Sequence, residues 1–220
     1  NNKNIKHFEE FEYFTSVTAI ANNGFRNCTN LLILKIPTSV ATFGNDAFRG
    51  SGITHIYIYG NVTSWGNNYT FVEGQLRYLY SNSQKTTPPS NATSLAYLER
   101  LDLDSNVRVV GGFSEKAYLN DVRISEGVTT FNDNCFKQCS SLQSIVLPST
   151  TSVMKDGVFN VCANLTSVTI LATTPPTGVS AYTFQYTPNA IVYVPSESVD
   201  AYKAASGWSQ YASRIQAIPT

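Results

Sequence analysis

The chain has 220 residues, and its 15 Lys and Arg are balanced by 15 Asp and Glu, so the formal net charge is zero. Charged residues are 14 % of the total, against ~25 % in an average soluble domain. This composition gives no basic footprint for nucleic acid or an anionic membrane, and no apolar run approaches the ~18 residues of a membrane span.

Thirteen tyrosines and 12 phenylalanines, with abundant Asn, Ser and Thr, suit β-strands joined by polar turns. The first segment, "NNKNIKHFEEFEYF", lacks the basic-then-apolar layout of a signal peptide and has no initiator Met. It reads as the start of a trimmed mature fragment, with "FEEFEYF" as the end of an upstream coil. From Val17 onward the chain repeats itself. Phe25, Phe48 and Phe71 recur at intervals of 23 residues, as do Phe113, Phe136 and Phe159. A fixed period between ~20 and 50 residues marks a solenoid.

The repeated unit is V-T-x-[IF]-x4-F-x2-C-x2-L-x2-[IV]-x-[IL]-P. Clean copies span Val17–Pro37 and Val128–Pro148. Val40–Ile58 is one residue short, with Ser51 in the Cys place. Val62–Tyr80 is weaker, with Trp65 in the third apolar place. Residues 81–97, "SNSQKTTPPSNATSLAY", are polar and Pro-containing, and the pattern predicts a surface loop inserted there. Leu98–Leu103 closes that coil, Val107–Ile124 is a compressed copy, and Thr151–Ile170 is a further one.

Within each copy L-x-x-I-x-L alternates with period 2, which predicts a short strand with Ile56 and Ile58 inward and His55, Tyr57 and Tyr59 outward. Proline, which has no N–H to donate, closes strands at Pro37, Pro148, Pro195 and, after a delay, Pro175. The V-T-x-[IF] segment predicts the opposite wall, and F-x-x-C the corner, with Phe filling the coil. A single coil leaves its apolar edges bare, so the copies must stack. After Pro195, the Ser196–Glu197 pair predicts a helix start, Val199 and Tyr202 share a helical face, and Gly207 is a stop signal.

The stretches "SVTAIANNGFRNCTNLLILKIPTSV" and "GVTTFNDNCFKQCSSLQSIVLPST", with the tail from Thr187 to Ile218, resemble the BspA-like leucine-rich repeats of Bacteroidetes surface proteins. The resemblance covers nearly the whole chain and is weakest over residues 60–125. It implies a leucine-rich-repeat solenoid with one parallel β-sheet face, short strands and helical turns opposite, and a C-terminal cap. It places the solenoid in residues 1–173 and the last irregular coil and cap in 174–220. It also implies a secreted or surface-anchored bacterial protein, with adhesion to host matrix proteins or other cells as the associated activity.

Catalytic motifs are scarce. His7 and His55 are the two histidines, and no nucleophile elbow, zincin, P-loop or dinucleotide motif occurs. Cys28, Cys139 and Cys162 share one repeat position and read as a buried row of small side chains. Cys139 and Cys162 would be neighbours, and a bond between them stays open at this level. Cys135 and Cys139 lack the spacing and histidines of a zinc site. "DLDSN" at 102–106 starts like a calcium loop but continues with Val107 in place of Gly and Phe113 in place of Glu. The sequons at Asn27, Asn61, Asn68, Asn91 and Asn164 are incidental in so Asn- and Thr-rich a chain.

The outward strand positions carry more information. Aligning the coils gives one row of Lys35, Tyr57, Tyr80, Asp102, Arg123, Val146, Thr169 and Tyr193. A parallel row runs Ile33, His55, Tyr78, Arg100, Asp121, Ser144, Ser167 and Ile191. This register predicts Asp102 beside Arg123, Arg100 beside Asp121, Tyr57 beside Tyr80 and His55 beside Tyr78. As structure alone, each such pair stabilises a sheet by ~0.2–1 kcal/mol. As function, His55, Tyr57, Tyr78, Tyr80, Arg100, Asp102, Asp121 and Arg123 form a candidate ligand-binding face rich in residue types favoured at interfaces.

Three functional readings follow. The first is a non-enzymatic adhesion module that binds a host or bacterial surface or matrix protein. The second is a glycan-binding surface protein, and the third a passive spacer. A glycan-cleaving variant would use Asp102 and Asp104, ~7 Å apart by strand rise and within the ~6.5–9.5 Å of inverting glycosidases. The paired charges around them argue against a protonated acid. No catalytic residue, metal or cofactor is expected.

Overall fold

The computed structural model describes residues 5–88 and 94–220. The strands in chain order are β1 (Ala19–Ile20), β2 (Ile33–Ile36), β3 (Thr42–Phe43), β4 (His55–Ile58), β5 (Ser64–Trp65), β6 (Tyr78–Ser81), β7 (Lys85–Thr86) and β8 (Arg100–Leu103). They continue with β9 (Val109–Val110), β10 (Asp121–Ile124), β11 (Thr130–Phe131), β12 (Ser144–Leu147), β13 (Val153–Met154), β14 (Ser167–Ile170), β15 (Ile191–Val194) and β16 (Ile215–Ala217). Every ladder between them is parallel.

The four-residue strands stack as β2-β4-β6-β8-β10 and as β12-β14-β15-β16, the last closed by the three-residue β16. The two-residue strands stack as β1-β3-β5 and β7-β9-β11-β13 on another wall. This is the leucine-rich-repeat solenoid that the repeat implied, with about eight turns. Burial alternates along most four-residue strands, as in His55–Ile58, where Ile56 and Ile58 are buried and His55 and Tyr57 half-buried. The four-residue ladder breaks between β10 and β12. There the inward pair Val122 and Ile124 is only half-buried, whereas Leu101 and Leu103 on β8 are fully inside.

Between the two strand walls runs a column of phenylalanines. Phe25, Phe48 and Phe71 stack at 5.9 and 5.1 Å, and Phe113, Phe136, Phe159 and Phe184 at 6.1, 6.0 and 5.7 Å. Each ring buries its apolar area only because the next coil supplies another face, which is why the unit must repeat. The corner that carries these rings uses left-handed residues four apart, Asn23 with Asn27 and Asn134 with Gln138, one residue short of the cysteine. This conformation turns backbone N–H groups toward the next coil, so Phe25 donates to Ala47 O at 2.7 Å and Phe136 to Val158 O at 2.9 Å. Asn tolerates such a backbone, while Val161 (φ 59°) is held there by its neighbours against its β-branched side chain.

The residue after the left-handed one is Cys28, Ser51, Gly74, Ala96, Lys116, Cys139, Cys162 and Thr187 in successive coils. The cysteines are buried, as expected, and all four in the chain are free thiols. Two of them, and the threonine in the same place, are also hydrogen-bond donors. Cys139 Sγ donates to Phe113 O at 3.2 Å, Cys162 Sγ to Phe136 O at 3.0 Å and Thr187 Oγ1 to Phe159 O at 2.7 Å. Burial pushes the Cys139 thiol up to about 12 and that of Cys162 to about 11, so both stay protonated and keep the donor these carbonyls need. Lys116 occupies the same column and is fully buried. Burial pulls its ammonium down to about 8.

Residues 81–97 differ from the loop expected there. Ser81 ends β6, and Lys85–Thr86 forms β7 on the second wall, in register with Val109–Val110. The segment is polar yet inside: Ser81, Ser83, Thr86 and Ser94 are buried. Ser81 and Thr86 bond each other at 2.7 Å, and Ser83 Oγ donates to Val62 O at 3.0 Å. Its middle, residues 89–93 with the Asn91 sequon, lies outside the described residues, as do residues 1–4.

At the C-terminus a 3-10 turn (Ser196–Ser198) leads into α1 (Val199–Ala204), with Ala205 already extended, before Gly207. The expected polar cap is absent, because no side chain caps either turn. The cap is anchored by buried ring donors instead. Tyr202 Oη donates to Ala172 O at 2.8 Å and Trp208 Nε1 to Pro176 O at 2.7 Å. At the other end Glu9–Tyr13 forms a 3-10 turn whose Phe11 packs edge-on against Phe25 at 5.6 Å.

Candidate binding face

The four-residue strands place their outward residues in the two rows the alignment predicted. Lys35, Tyr57, Tyr80, Asp102 and Arg123 are register partners in sequence, as are Ile33, His55, Tyr78, Arg100 and Asp121. All eight candidate residues therefore lie on one surface across β4, β6, β8 and β10. Tyr59, one step beyond the end of β4, joins them. The rows stopped at Tyr57, although the same alternation carried on to Tyr59.

The aromatic part is a contiguous cluster. His55 meets Tyr78 edge-on at 5.6 Å, and Tyr57 meets Tyr78 at 5.4 Å. Tyr80 lies 6.2 Å from Tyr57 and 5.7 Å from Tyr59. All five side chains are half-buried, with one flank packed and one open. His55 Nδ1 lies 2.9 Å from Thr54 Oγ1, which fixes the imidazole plane.

In the charged part Asp102 lies beside Arg123 and Arg100 beside Asp121, as expected, but the shorter ion pairs run along each strand. Arg100 Nε and Nη2 hold both oxygens of Asp102, two residues along its own strand, at 2.9 and 2.6 Å. Arg123 holds Asp121 in the same way at 3.3 Å. The one cross-strand ion pair among these residues is Arg100 with Asp121 at 3.5 Å; Asp102 and Arg123 are register neighbours without pairing. Residues two apart share a face, and an arginine long enough to bend along its strand reaches a carboxylate there with both prongs.

Aromatic and charged parts are joined by hydrogen bonds. Tyr78 Oη donates to Asp102 Oδ2 at 2.8 Å, and Tyr80 Oη donates to Asp104 Oδ2. The Arg100 guanidinium also lies over the Tyr78 ring, 5.1 Å from its centre. Burial, and then the bonds to Asp102 and Asp104, push both tyrosine hydroxyls above the usual phenol range. Burial alone would raise Asp102, but the bonds from Arg100 and Tyr78 outweigh it and hold the carboxyl below the usual range. The Tyr80 hydroxyl and the Ser105 N–H do the same for Asp104. Both carboxylates are thus ionised at neutral pH, and neither supplies the protonated acid that glycoside cleavage needs.

Two hollows flank the cluster. One of about 480 Å³ is lined by His55, Tyr57, Arg77, Tyr78, Glu99 and Arg100. The other, of about 270 Å³, is lined by Tyr80, Asp102, Leu103, Asp104, Arg123 and Ser125. Beyond β10 the same face carries the smaller Ser144, Val146, Ser167 and Thr169 on β12 and β14, then Ile191 and Tyr193 on β15. Among the described residues no helix is long and apolar enough to cross a membrane.

A family model for the BspA type leucine rich repeat region matches in 6 copies, over residues 3–114 and 86–203. Among solved structures, a leucine-rich repeat protein from Bacteroides ovatus aligns at 22 % identity and a TM-score of 0.60. The alignment covers 82 % of this chain and 47 % of that one, so the chain spans about half of its length. A leucine rich cell surface protein from Faecalibacterium prausnitzii aligns at 20 % identity with a TM-score of 0.44, over 93 % of this chain and 62 % of that one. None of the curated proteins matches.

Proposed function

Because the chain belongs to the BspA-type leucine-rich repeat family, we propose that it is a non-enzymatic binding module, secreted or held at a bacterial surface, whose β4–β10 face docks a protein partner. The observation that carries this reading is the contrast in outward side chains along one unchanged scaffold. Four tyrosines, a histidine and two arginines gather on neighbouring coils, while β12 and β14 carry serine, threonine and valine, and Ile191 and Tyr193 follow on β15. Tyrosine supplies broad, amphipathic contact area at low entropic cost, and tyrosine and arginine dominate binding hot spots. The internal hydrogen bonds hold these groups in place before a partner arrives, which lowers the cost of association. Half-open rings beside ionised carboxylates also suit sugar stacking, so a glycan is the second reading.

The test is a solid-phase screen of the chain against host matrix proteins and a polysaccharide panel. A Tyr57→Ala/Tyr80→Ala/Arg123→Ala variant, checked for folding by circular dichroism, runs beside it. Protein capture that the folded variant loses by tenfold or more supports the reading. Capture of polysaccharide alone moves the assignment to the glycan reading, and capture that the variant retains removes the face from either.

A further inference from the structure

The face holds the same tyrosine–aspartate pair twice, and one copy is complete. In the first copy Tyr78 Oη donates to Asp102, and a guanidinium lies over the tyrosine ring at 5.1 Å while gripping both Asp102 oxygens at 2.9 and 2.6 Å. That guanidinium belongs to Arg100, the register partner of Tyr78. The second copy lies two residues further along each strand, where Tyr80 Oη donates to Asp104. The register partner of Tyr80 is Asp102, not an arginine. Among the described residues no cation lies within ion-pair distance of Asp104.

We infer that the Tyr80–Asp104 pair is a receptor for a guanidinium supplied from outside, an arginine side chain on an extended segment of the protein partner. The inference rests on the sheet face being the docking surface. Asp104 accepts from Tyr80 on one oxygen and from the Ser105 N–H, at 2.6 Å, on the other. An ionised carboxylate has about four lone-pair sites, so beside Tyr80 and the Ser105 N–H and hydroxyl Asp104 still has room for a donor from outside. Tyr57 and Tyr59 both lie on the β4 side of Tyr80, which leaves its β8 side to the 270 Å³ hollow.

The other charges at this hollow are Asp102, already engaged by Arg100, and Arg123, drawn away by Asp121 at 3.3 Å. Arg123 closes the far wall by repulsion, so an incoming guanidinium settles over the Tyr80 ring, as Arg100 does over Tyr78. Lysine, a point charge without the planar fork, would satisfy the pair less well.

The test is NMR of the full chain with ¹³C-labelled tyrosine rings. The probe is acetyl-Gly-Arg-Gly-amide, compared with its citrulline and lysine counterparts. Citrulline keeps the shape of arginine and removes the charge. The arginine peptide should shift the Tyr80 ring signals saturably, the citrulline peptide should bind about tenfold or more weakly, and Asp104→Asn should cost the arginine peptide a similar factor. Equal response to arginine and citrulline, or shifts that leave Tyr80 unmoved, overturns the inference.

In the matrix-protein screen, Asp104→Asn beside Tyr57→Ala/Tyr80→Ala separates the two claims. Capture lost by the tyrosine variant and kept by Asp104→Asn overturns the guanidinium receptor and leaves the docking face standing. Capture lost by both supports the receptor, and capture untouched by both overturns the docking face.

Discussion

The coils before and after the ladder break at β10 share an interior and differ in what they show to solvent. After the break the corner column is Cys139, Cys162 and Thr187, each closing onto a phenylalanine carbonyl of the previous coil, and the outward face of β12 and β14 is small. Before it the column drifts through Ser51, Gly74, Ala96 and the buried Lys116, while the outward face fills with tyrosine and charge. The contrast separates two kinds of constraint. Stacking fixes the residues that point inward, because each coil is the only cover its neighbour has. Outward positions answer to no coil, so they are free to become a surface with a purpose.

The largest effect should come from breaking the interior. Phe136 stacks on Phe113 and Phe159 at 6.1 and 6.0 Å and is fully buried. Phe136→Ala should cost ~3–5 kcal/mol in denaturant unfolding, whereas Tyr57→Ala on the face should cost far less. Comparable losses at the two positions would erase the distinction between core and face.

Next comes Lys116, the least orthodox member of the corner column. Its ammonium is pulled from 10.5 to about 8 by burial. A lysine with a depressed folded value penalises folding fully at lower pH. The penalty is relieved as pH rises from about 8 toward the unfolded value, because there the unfolded chain binds the extra proton. Lys116→Met should therefore gain on the wild type at pH 7, relative to its standing above pH ~10, by on the order of 3 kcal/mol. That gain should fade between pH 8 and ~10.4. A pH-independent difference would contradict the assignment.

A smaller effect tests the regular half. Thr187 Oγ1 donates to Phe159 O at 2.7 Å and accepts from the Cys162 N–H at 3.1 Å. Thr187→Val keeps the shape and leaves the Cys162 N–H and Phe159 O only their long 3.4 Å bond to each other, so it should cost ~1 kcal/mol, read as a shift in the denaturant midpoint. Thr187→Cys, which restores the thiol of the neighbouring coils, should recover part of the loss.

Much of the fold was legible because the inward letters are few and evenly spaced. Phe, Leu and Ile at fixed offsets gave the coil, and one fixed strand step gave the register of both outward rows without knowledge of the turns. The account failed where the interior is polar. Ser81, Ser83 and Thr86 satisfy one another inside the solenoid. A scan for apolar period falls silent over such residues and reports a loop. The candidate face was half legible. Which residues face outward follows from parity, and Tyr59 was available by the same rule. Whether Arg100 turns along its strand to Asp102 or across to Asp121 depends on side-chain torsions that no spacing encodes. The left-handed corner was hidden for a related reason: Asn23 and Asn134 signal it, but Val161 and Gln138 take the same backbone without a compositional cue.

The smallest effect concerns the rigidity of the face. Asp102 is held below the usual carboxylate range, so its contribution is present above the unfolded value near ~4 and is lost as pH falls through the folded value. Asp102→Asn should cost ~1 kcal/mol or less at pH 7, since the group is partly open to solvent, and should cost nothing in strong acid. The same variant should loosen Tyr78, seen as faster ring averaging in its NMR signals.

The most direct measurement sets the two halves against each other. Surface-plasmon capture of host matrix proteins is compared for the wild-type chain, for Tyr57→Ala/Tyr80→Ala and for Val146→Ala/Thr169→Ala, all three shown to be folded. The account predicts that the β4–β6 variant loses capture by tenfold or more while the β12–β14 variant keeps it. Equal capture by all three, or loss confined to the β12–β14 variant, would contradict it.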